Sequence, residues 1–241
     1  MRLDIAPDTD SLARRAADWL LDVALAKDGG IAIALSGGST PRRLYELLAE
    51  PPWCERFPWR KTHWFWGDER FVPPTDARSN FRMVNEALLS RVPVPAANVH
   101  PMPTEAVTPA AAAADYAAEL QRFYGTPELD VTRPLFDVVL MGLGSDGHTA
   151  SLFPGTAALD ERKLWAVAVE GVQPEARVTL TYPVLESCRE AAFLVAGAEK
   201  RAAFDRLRSG DKGIPAGRFM PKGRLNCFAD VAAAGGTADS S

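Results

Sequence analysis

Asp146 and His148 stand two residues apart within FDVVLMGLGSDGHTASLFPG, the stretch from Phe136 to Gly155 and the part of this chain best equipped to move a proton. Imidazole is the side chain whose ordinary pKa lets it change charge near neutral pH, and the chain has only three of them. An apolar run, Val138 to Met141, leads into Gly142, Gly144 and Gly147 and is broken at Pro154-Gly155, which predicts a buried strand followed by a loop presenting ionisable groups. His63 begins another apolar segment and His100 sits between prolines, so both read as structural. His148 is the candidate general base, with Asp146 as its neighbour.

Two other readings of this stretch compete. Gly142, Gly144 and Gly147 also fit G-x-G-x-x-G after a strand, and Leu164 to Val169 followed by Glu170 lies near the distance at which a dinucleotide fold places its ribose-binding acid. Against this, Asp146 would lie beside a pyrophosphate, and Pro154-Gly155 would interrupt the helix whose N-terminus should hold it. The second is a tight turn with a hydrogen-bonded histidine and no chemistry.

Ile31 to Leu35 is a short apolar strand leading into Ser36-Gly37-Gly38-Ser39-Thr40-Pro41 and then a helical face, Leu44, Tyr45, Leu47 and Leu48. Strand, glycine loop and helix suit an anion: Gly37 and Gly38 admit a close backbone approach, unpaired N–H groups point outward, and Ser39 and Thr40 add hydroxyl donors. No lysine follows as a Walker motif requires, and a plain Ser/Thr-capped helix is the competing reading. The strand His63 to Trp66 ends in Gly67-Asp68-Glu69-Arg70, placing two carboxylates and a guanidinium where open α/β sheets bind ligands. Arg177 and Lys200 read as surface charges unless an anion is shared there. Lys200 falls in a first helical turn, where a cation opposes the helix dipole.

These groups need a scaffold. Helices are predicted from Asp10 or Ser11 to Lys27, from Ser79 to about Ser90, from Thr108-Pro109 to Phe123 or Tyr124, around Tyr182 to Arg189, and around Lys200, Phe204 and Leu207. Strands are expected at Leu164 to Val169, Arg177 to Thr181, Ala191 to Ala196 and Arg224 to Phe228. Pro51 to Trp59 reads as a surface excursion. Strands alternating with helices imply an α/β fold, a doubly wound, mainly parallel sheet flanked by helices in Rossmann-like fashion. One domain over 1–233 with a flexible tail over 234–241 is the expectation.

The 241 residues, 47% hydrophobic and 24% charged, suffice for one large core. A net charge of -4 gives no general field for nucleic acid or membrane lipid. Cys54, Cys188 and Cys227 are far apart without a C-x-x-C pair, fitting neither a disulfide framework nor a zinc site. No apolar leader region and no run of about eighteen apolar residues is present. The expectation is a cytoplasmic protein with no metal, no cofactor, no nucleic-acid or membrane partner, and a monomeric or weakly homo-oligomeric state.

SGGSTP at Ser36 to Pro41, WGDERFVP at Trp66 to Pro73, Ser79-Asn80, MGLGSDGHTASLFPG at Met141 to Gly155 and RVTLTYPVL at Arg177 to Leu185 together resemble the 6-phosphogluconolactonase family, from about Ile31 to Asp230. The resemblance implies hydrolysis of 6-phospho-D-glucono-1,5-lactone in the oxidative pentose phosphate pathway, with a sugar phosphate as the small-molecule partner. It implies that His148 activates water, that Asp146 and Asp68 assist, and that Arg70 with the N–H groups of Gly142, Gly144 and Ser145 steadies the oxyanion. Gly37, Gly38, Ser39, Thr40, Arg177 and Lys200 would hold the phosphate. Glucosamine-6-phosphate deaminases are similar, but carry Glu where Phe153 stands and generally Tyr where Arg70 stands. A sugar-phosphate sensor domain without catalysis is a third reading. The segment Pro215 to Arg218 departs from the lactonase pattern, with Gly217 where Ser is expected, and no role is assigned to it.

Overall fold

The structure is a computed structural model that describes residues 1–236. Ten strands are present among them: β1 (Arg2–Ala6), β2 (Ile31–Leu35), β3 (Thr62–Trp66), β4 (Asp68–Arg70), β5 (Val99–His100), β6 (Phe136–Gly142), β7 (Ala166–Val169), β8 (Arg177–Leu180), β9 (Cys188–Val195) and β10 (Arg224–Asp230). The helices are α1 (Thr9–Leu25), α2 (Ser39–Leu48), α3 (Trp53–Arg56), α4 (Asn80–Ala87), α5 (Pro109–Tyr124), α6 (Tyr182–Glu186), α7 (Arg201–Arg208), α8 (Pro215–Arg218) and α9 (Val231–Ala234). Seven strands form a parallel sheet in the order β1-β10-β9-β6-β2-β3-β5. This is the doubly wound α/β arrangement that the alternating pattern predicts.

The chain runs from β2 outward through β3 to β5, returns to β6 on the other side of β2, and continues outward to β9 and β10. The order therefore reverses between β2 and β6, which pair at Ile33↔Val138 and Ala34↔Val139. In such sheets the crevice beyond the carboxyl ends of the strands at the switch point is the ligand site. The two glycine loops, after Leu35 and after Met141, leave the sheet at that crevice.

Local chemistry accounts for the main boundaries. Asp8 caps α1 by accepting the Ser11 N–H at 2.7 Å, and Thr108 caps α5 with Pro109 in the first turn and Gly125 left-handed behind it. β2 and β6 are buried almost throughout because both faces of a parallel sheet are covered.

Several elements differ from the sequence-based expectation. The segments at 164–169 and 177–181 do not join the parallel sheet; β7 and β8 form a small antiparallel sheet with β4, in the order β4-β8-β7. Asp68-Glu69-Arg70 is thus itself a strand. β1 and β5 join the main sheet at its two edges. Pro51 to Trp59 is not a surface excursion: Trp53, Phe57 and Trp59 are buried, with Phe57 4.5 Å from Trp59 and the Trp59 ring stacked 6.0 Å from Trp64. His63 and His100 are packed together, Nδ1 to Nε2 at 3.0 Å. The loop after β6 leads to no α-helix, only to a 3₁₀ turn at Ala157–Asp160, and its next strand, β7, lies in the other sheet, so the dinucleotide-fold reading does not hold. Gly235, left-handed, closes α9 (Val231–Ala234), and of the expected tail over 234–241 residues 237–241 lie outside the described residues. No helix among the described residues is long and apolar enough to cross a membrane.

Candidate active site

The glycine loop after β2 is fixed from beneath by Tyr45, whose buried hydroxyl accepts the Ser36 N–H at 3.1 Å and donates to the Ser36 carbonyl at 2.8 Å. Burial pushes the Tyr45 hydroxyl well above the ordinary phenol range, so it stays a neutral donor. α2 starts at Gly38, at φ 107°, and no side chain caps it. The Ser/Thr-capped alternative therefore fails, and the first-turn N–H groups lack the side-chain oxygen that usually takes them. Gly37 has no room for a side chain, since a Cβ would lie 2.0 Å from Asn80 Oδ1.

Glu69 organises the next wall. It is 2% exposed and accepts the backbone N–H of Asn80 at 2.7 Å, of Phe81 at 2.7 Å and of Arg70 at 2.8 Å, so its carboxylate sits at the N-terminus of α4. Burial raises its pKa, and the three N–H donors oppose that only in part. Asn80, so held, donates from Nδ2 to the Asp68 carbonyl at 2.9 Å. The buried carboxylate of Asp68 accepts the Ser151 hydroxyl at 2.6 Å, which ties β4 to the loop bearing His148.

Arg70 and Arg177 are directly opposed across the β4–β8 pair. Like charges in cross-strand register repel, yet each buried Nε has no hydrogen-bond partner among the described residues. Burial depresses the pKa of Arg177, and the Arg70 charge depresses it further. Arg70 is oriented by the Arg78 carbonyl, which accepts its Nη1–H at 2.6 Å. Two guanidiniums in this arrangement are complementary to an anion.

The loop after β6 is closed by its own backbone: Gly144 N–H donates to His148 O at 2.8 Å, and Gly147 N–H to Gly144 O at 2.9 Å. Asp146 Oδ1 accepts the His148 backbone N–H at 3.0 Å and lies 2.5 Å from His148 Nδ1. Burial alone would raise the Asp146 carboxyl; the His148 N–H and imidazole outweigh it, and its pKa is lowered. A carboxylate only accepts, so the Nδ1 proton points at Asp146, and in the neutral ring Nε2 carries the lone pair. The ring rests on Phe153, 4.6 Å between centroids. Ala150, in the same loop, is held at φ +47°, a strained conformation for a residue with a Cβ.

One pocket of about 360 Å³ collects Gly37, Gly38, Asp68, Arg70, Gly142, Gly144, His148, Arg177 and Lys200. Asp146 reaches it through the imidazole. Ser39, Thr40 and Ser145 do not line it, although their backbones belong to its loops. Lys200 enters from the junction between a short 3₁₀ turn and α7. Asn80, Ala150, Ser151, Phe153 and Gln173 also line it. Asn80, Ala150, Ser151 and Phe153 lie inside the motifs quoted above, whereas Gln173 had no sequence signal. Gly217 needs no role: a Cβ there would lie 2.0 Å from the Asp211 carbonyl oxygen, so this backbone excludes a serine.

Residues 7–227 match the family model for glucosamine-6-phosphate isomerases/6-phosphogluconolactonase. A 6-phosphogluconolactonase of Nostoc sp. is 41% identical over 238 residues, covering 96% of both chains. One of Synechocystis sp. is 44% identical over 206 residues, covering 84% of this chain and 82% of that one. The structure of 6-phosphogluconolactonase from Trypanosoma brucei superposes with a TM-score of 0.82 at 30% identity, over 97% of each chain. A switch-point pocket holding an imidazole, a carboxylate and opposed guanidiniums thus sits on a chain that matches this family along nearly its whole length, and the protein belongs to the glucosamine-6-phosphate isomerase/6-phosphogluconolactonase family.

Proposed function

We propose that this protein hydrolyses 6-phospho-D-glucono-1,5-lactone to 6-phospho-D-gluconate, the second step of the oxidative pentose phosphate pathway. The observation that carries this reading is the shared pocket, in which the opposed Arg70 and Arg177 face the same space as the His148–Asp146 pair. Its curated relatives at up to 44% identity are 6-phosphogluconolactonases, which supports it.

In this mechanism His148 Nε2 takes a proton from water as the water attacks the lactone carbonyl, and returns it to the departing ring oxygen. Asp146 holds the ring in the tautomer that leaves Nε2 free, and its lowered pKa keeps it ionised for that task. The Gly144 N–H is already taken by the His148 carbonyl, so steadying the oxyanion falls to Arg70 and the other N–H groups of the loop. Arg177, Lys200, the uncapped start of α2 and, in part, Arg70 bind the phosphate. Asp68, fixed by Ser151, faces the pocket as the counter-charge to these cations.

Deamination of an amino sugar requires a further carboxylate beside the histidine, in addition to one placed as Asp146 is, for proton shuttling between carbons. The residue at the deaminase position, Phe153, offers an apolar ring to His148. The test is an assay on freshly made lactone with spontaneous hydrolysis subtracted, run beside ammonia release from glucosamine 6-phosphate. Lactone acceleration without ammonia is expected. The unphosphorylated lactone should be roughly 10²- to 10⁴-fold poorer in kcat/KM, for the loss of two charged hydrogen bonds. Ammonia without lactone turnover would favour the deaminase, and binding without turnover the sensor.

A further inference from the structure

Arg78 lies outside the pocket, but it is joined to both strands that carry the opposed arginines. Its carbonyl accepts from Arg70 Nη1 at 2.6 Å. Its guanidinium holds Asp76 through Nε at 2.9 Å and Nη2 at 2.7 Å, while Nη1 donates to Glu175 Oε1 at 2.6 Å. The other oxygen of Glu175, Oε2, is 3.9 Å from Arg177 Nη2. Glu175 therefore stands between two guanidiniums. Arg78 is exposed, with 54% of its side chain open to solvent, whereas Arg177 is 12% open and faces the pocket.

A carboxylate at the edge of an anion pocket has two electrostatic consequences, depending on its partner. Held by Arg78, its charge is balanced on the solvent side and Arg177 keeps its guanidinium for a ligand. Released, it would close the 3.9 Å gap, neutralise Arg177 and repel a phosphate by like charge. An exposed ion pair adds little to stability. Here its effect is to decide which cation the carboxylate occupies.

We propose that Arg78 is a positioning residue which, by holding Glu175, reserves Arg177 for the phosphate of the substrate. This rests on the reading of Arg70 and Arg177 as the phosphate site. Replacing the Arg78 side chain leaves its backbone carbonyl on Arg70 but frees both Asp76 and Glu175, and the Glu175 variants separate the second effect from the first.

The test compares wild type, Arg78→Ala, Glu175→Gln and the double variant, reading 6-phosphogluconate and inorganic phosphate binding by calorimetry and KM and kcat for the lactone. Arg78→Ala should weaken both ligands and raise KM by roughly threefold to thirtyfold, with kcat within about twofold of wild type. Adding Glu175→Gln should restore binding to the level of the Glu175→Gln single variant, and Arg78→Lys should retain most of it. Equal weakening in Arg78→Ala and the double variant would mean that Arg78 acts only as a brace and would overturn the inference, as would wild-type affinity in Arg78→Ala. If circular dichroism shows Arg78→Ala unfolded, Arg78→Gln carries the same comparison. A wild-type protein that binds neither ligand would overturn the phosphate-site reading itself.

Discussion

Gly144 is the wall against which the His148 ring rests: a Cβ on Gly144 would lie 2.1 Å from His148 Nδ1 and 2.6 Å from Asp146 Oδ1. Any side chain there has to displace the imidazole, the carboxylate, or both. Misplacing a reacting group by about 1 Å costs on the order of 10²-fold. Gly144→Ala should therefore lose roughly 10²-fold in kcat in a variant whose circular dichroism spectrum matches that of wild type. A variant with normal kcat would show that the ring position is unimportant.

His148→Ala should lower kcat by about 10²- to 10⁴-fold with KM nearly kept, the range for a general base. Asp146→Asn should lower kcat by a comparable factor, because an amide that presents its N–H to Nδ1 turns the ring to the tautomer whose Nε2 already carries a proton. Steady-state kinetics on fresh lactone checks both. Full activity in His148→Ala would sink the assignment.

Glu69 gives a pH dependence with a definite sign. Burial raises its pKa above the ordinary 4.5, so from that value upward the folded state holds its proton where the unfolded chain has lost it. Stability contributed by this group is then greatest below that window and declines as pH rises through the folded value. In Glu69→Gln the decline should vanish. Urea midpoints for both proteins between pH 4 and 7 test this, and parallel curves would refute it.

Activity should survive prolonged treatment with a chelator. Among the described residues no group of three or more His, Cys, Asp or Glu is placed to hold a metal ion, and a catalytic zinc ordinarily needs three protein ligands. Loss of turnover on chelation, restored by added zinc, would contradict the water-activation scheme.

The parallel sheet was legible because buried parallel strands are apolar runs, as at Ile31–Leu35 and Phe136–Gly142. β1 was not, since the exposed Arg2 and the half-buried Asp4, paired with Arg15, break the apolar signal of this edge strand. Nor was β4, in which every residue is charged. Its pairing with β8 is set by tertiary context, and that pairing is what brings Arg70 opposite Arg177. Proline and tryptophan crowd Pro51 to Trp59, which suggests a surface segment, but burial of the tryptophans decides the outcome. His148 and Asp146 were found because they are adjacent in sequence. Ser151 and Asp68, 83 residues apart, left no local trace of their bond. Ser39 and Thr40 were weighted for their hydroxyls, whereas the loop presents the backbone at Gly37 and Gly38 to the pocket.

The pairing of β1 with β10, Arg2 beside Asn226 and Ala6 beside Asp230, bears on how the chain is made. A ribosome adding about 5 to 20 residues per second needs on the order of 10 to 45 s to cover the distance between these strands. Throughout that time β1 lacks its partner, because among the described residues its neighbour in the sheet is β10. The glycine loops, the opposed arginines and the imidazole all lie on elements that emerge within this interval. The residues of the site are all made before β10, and the β1–β10 ladder can close only once β10 has emerged.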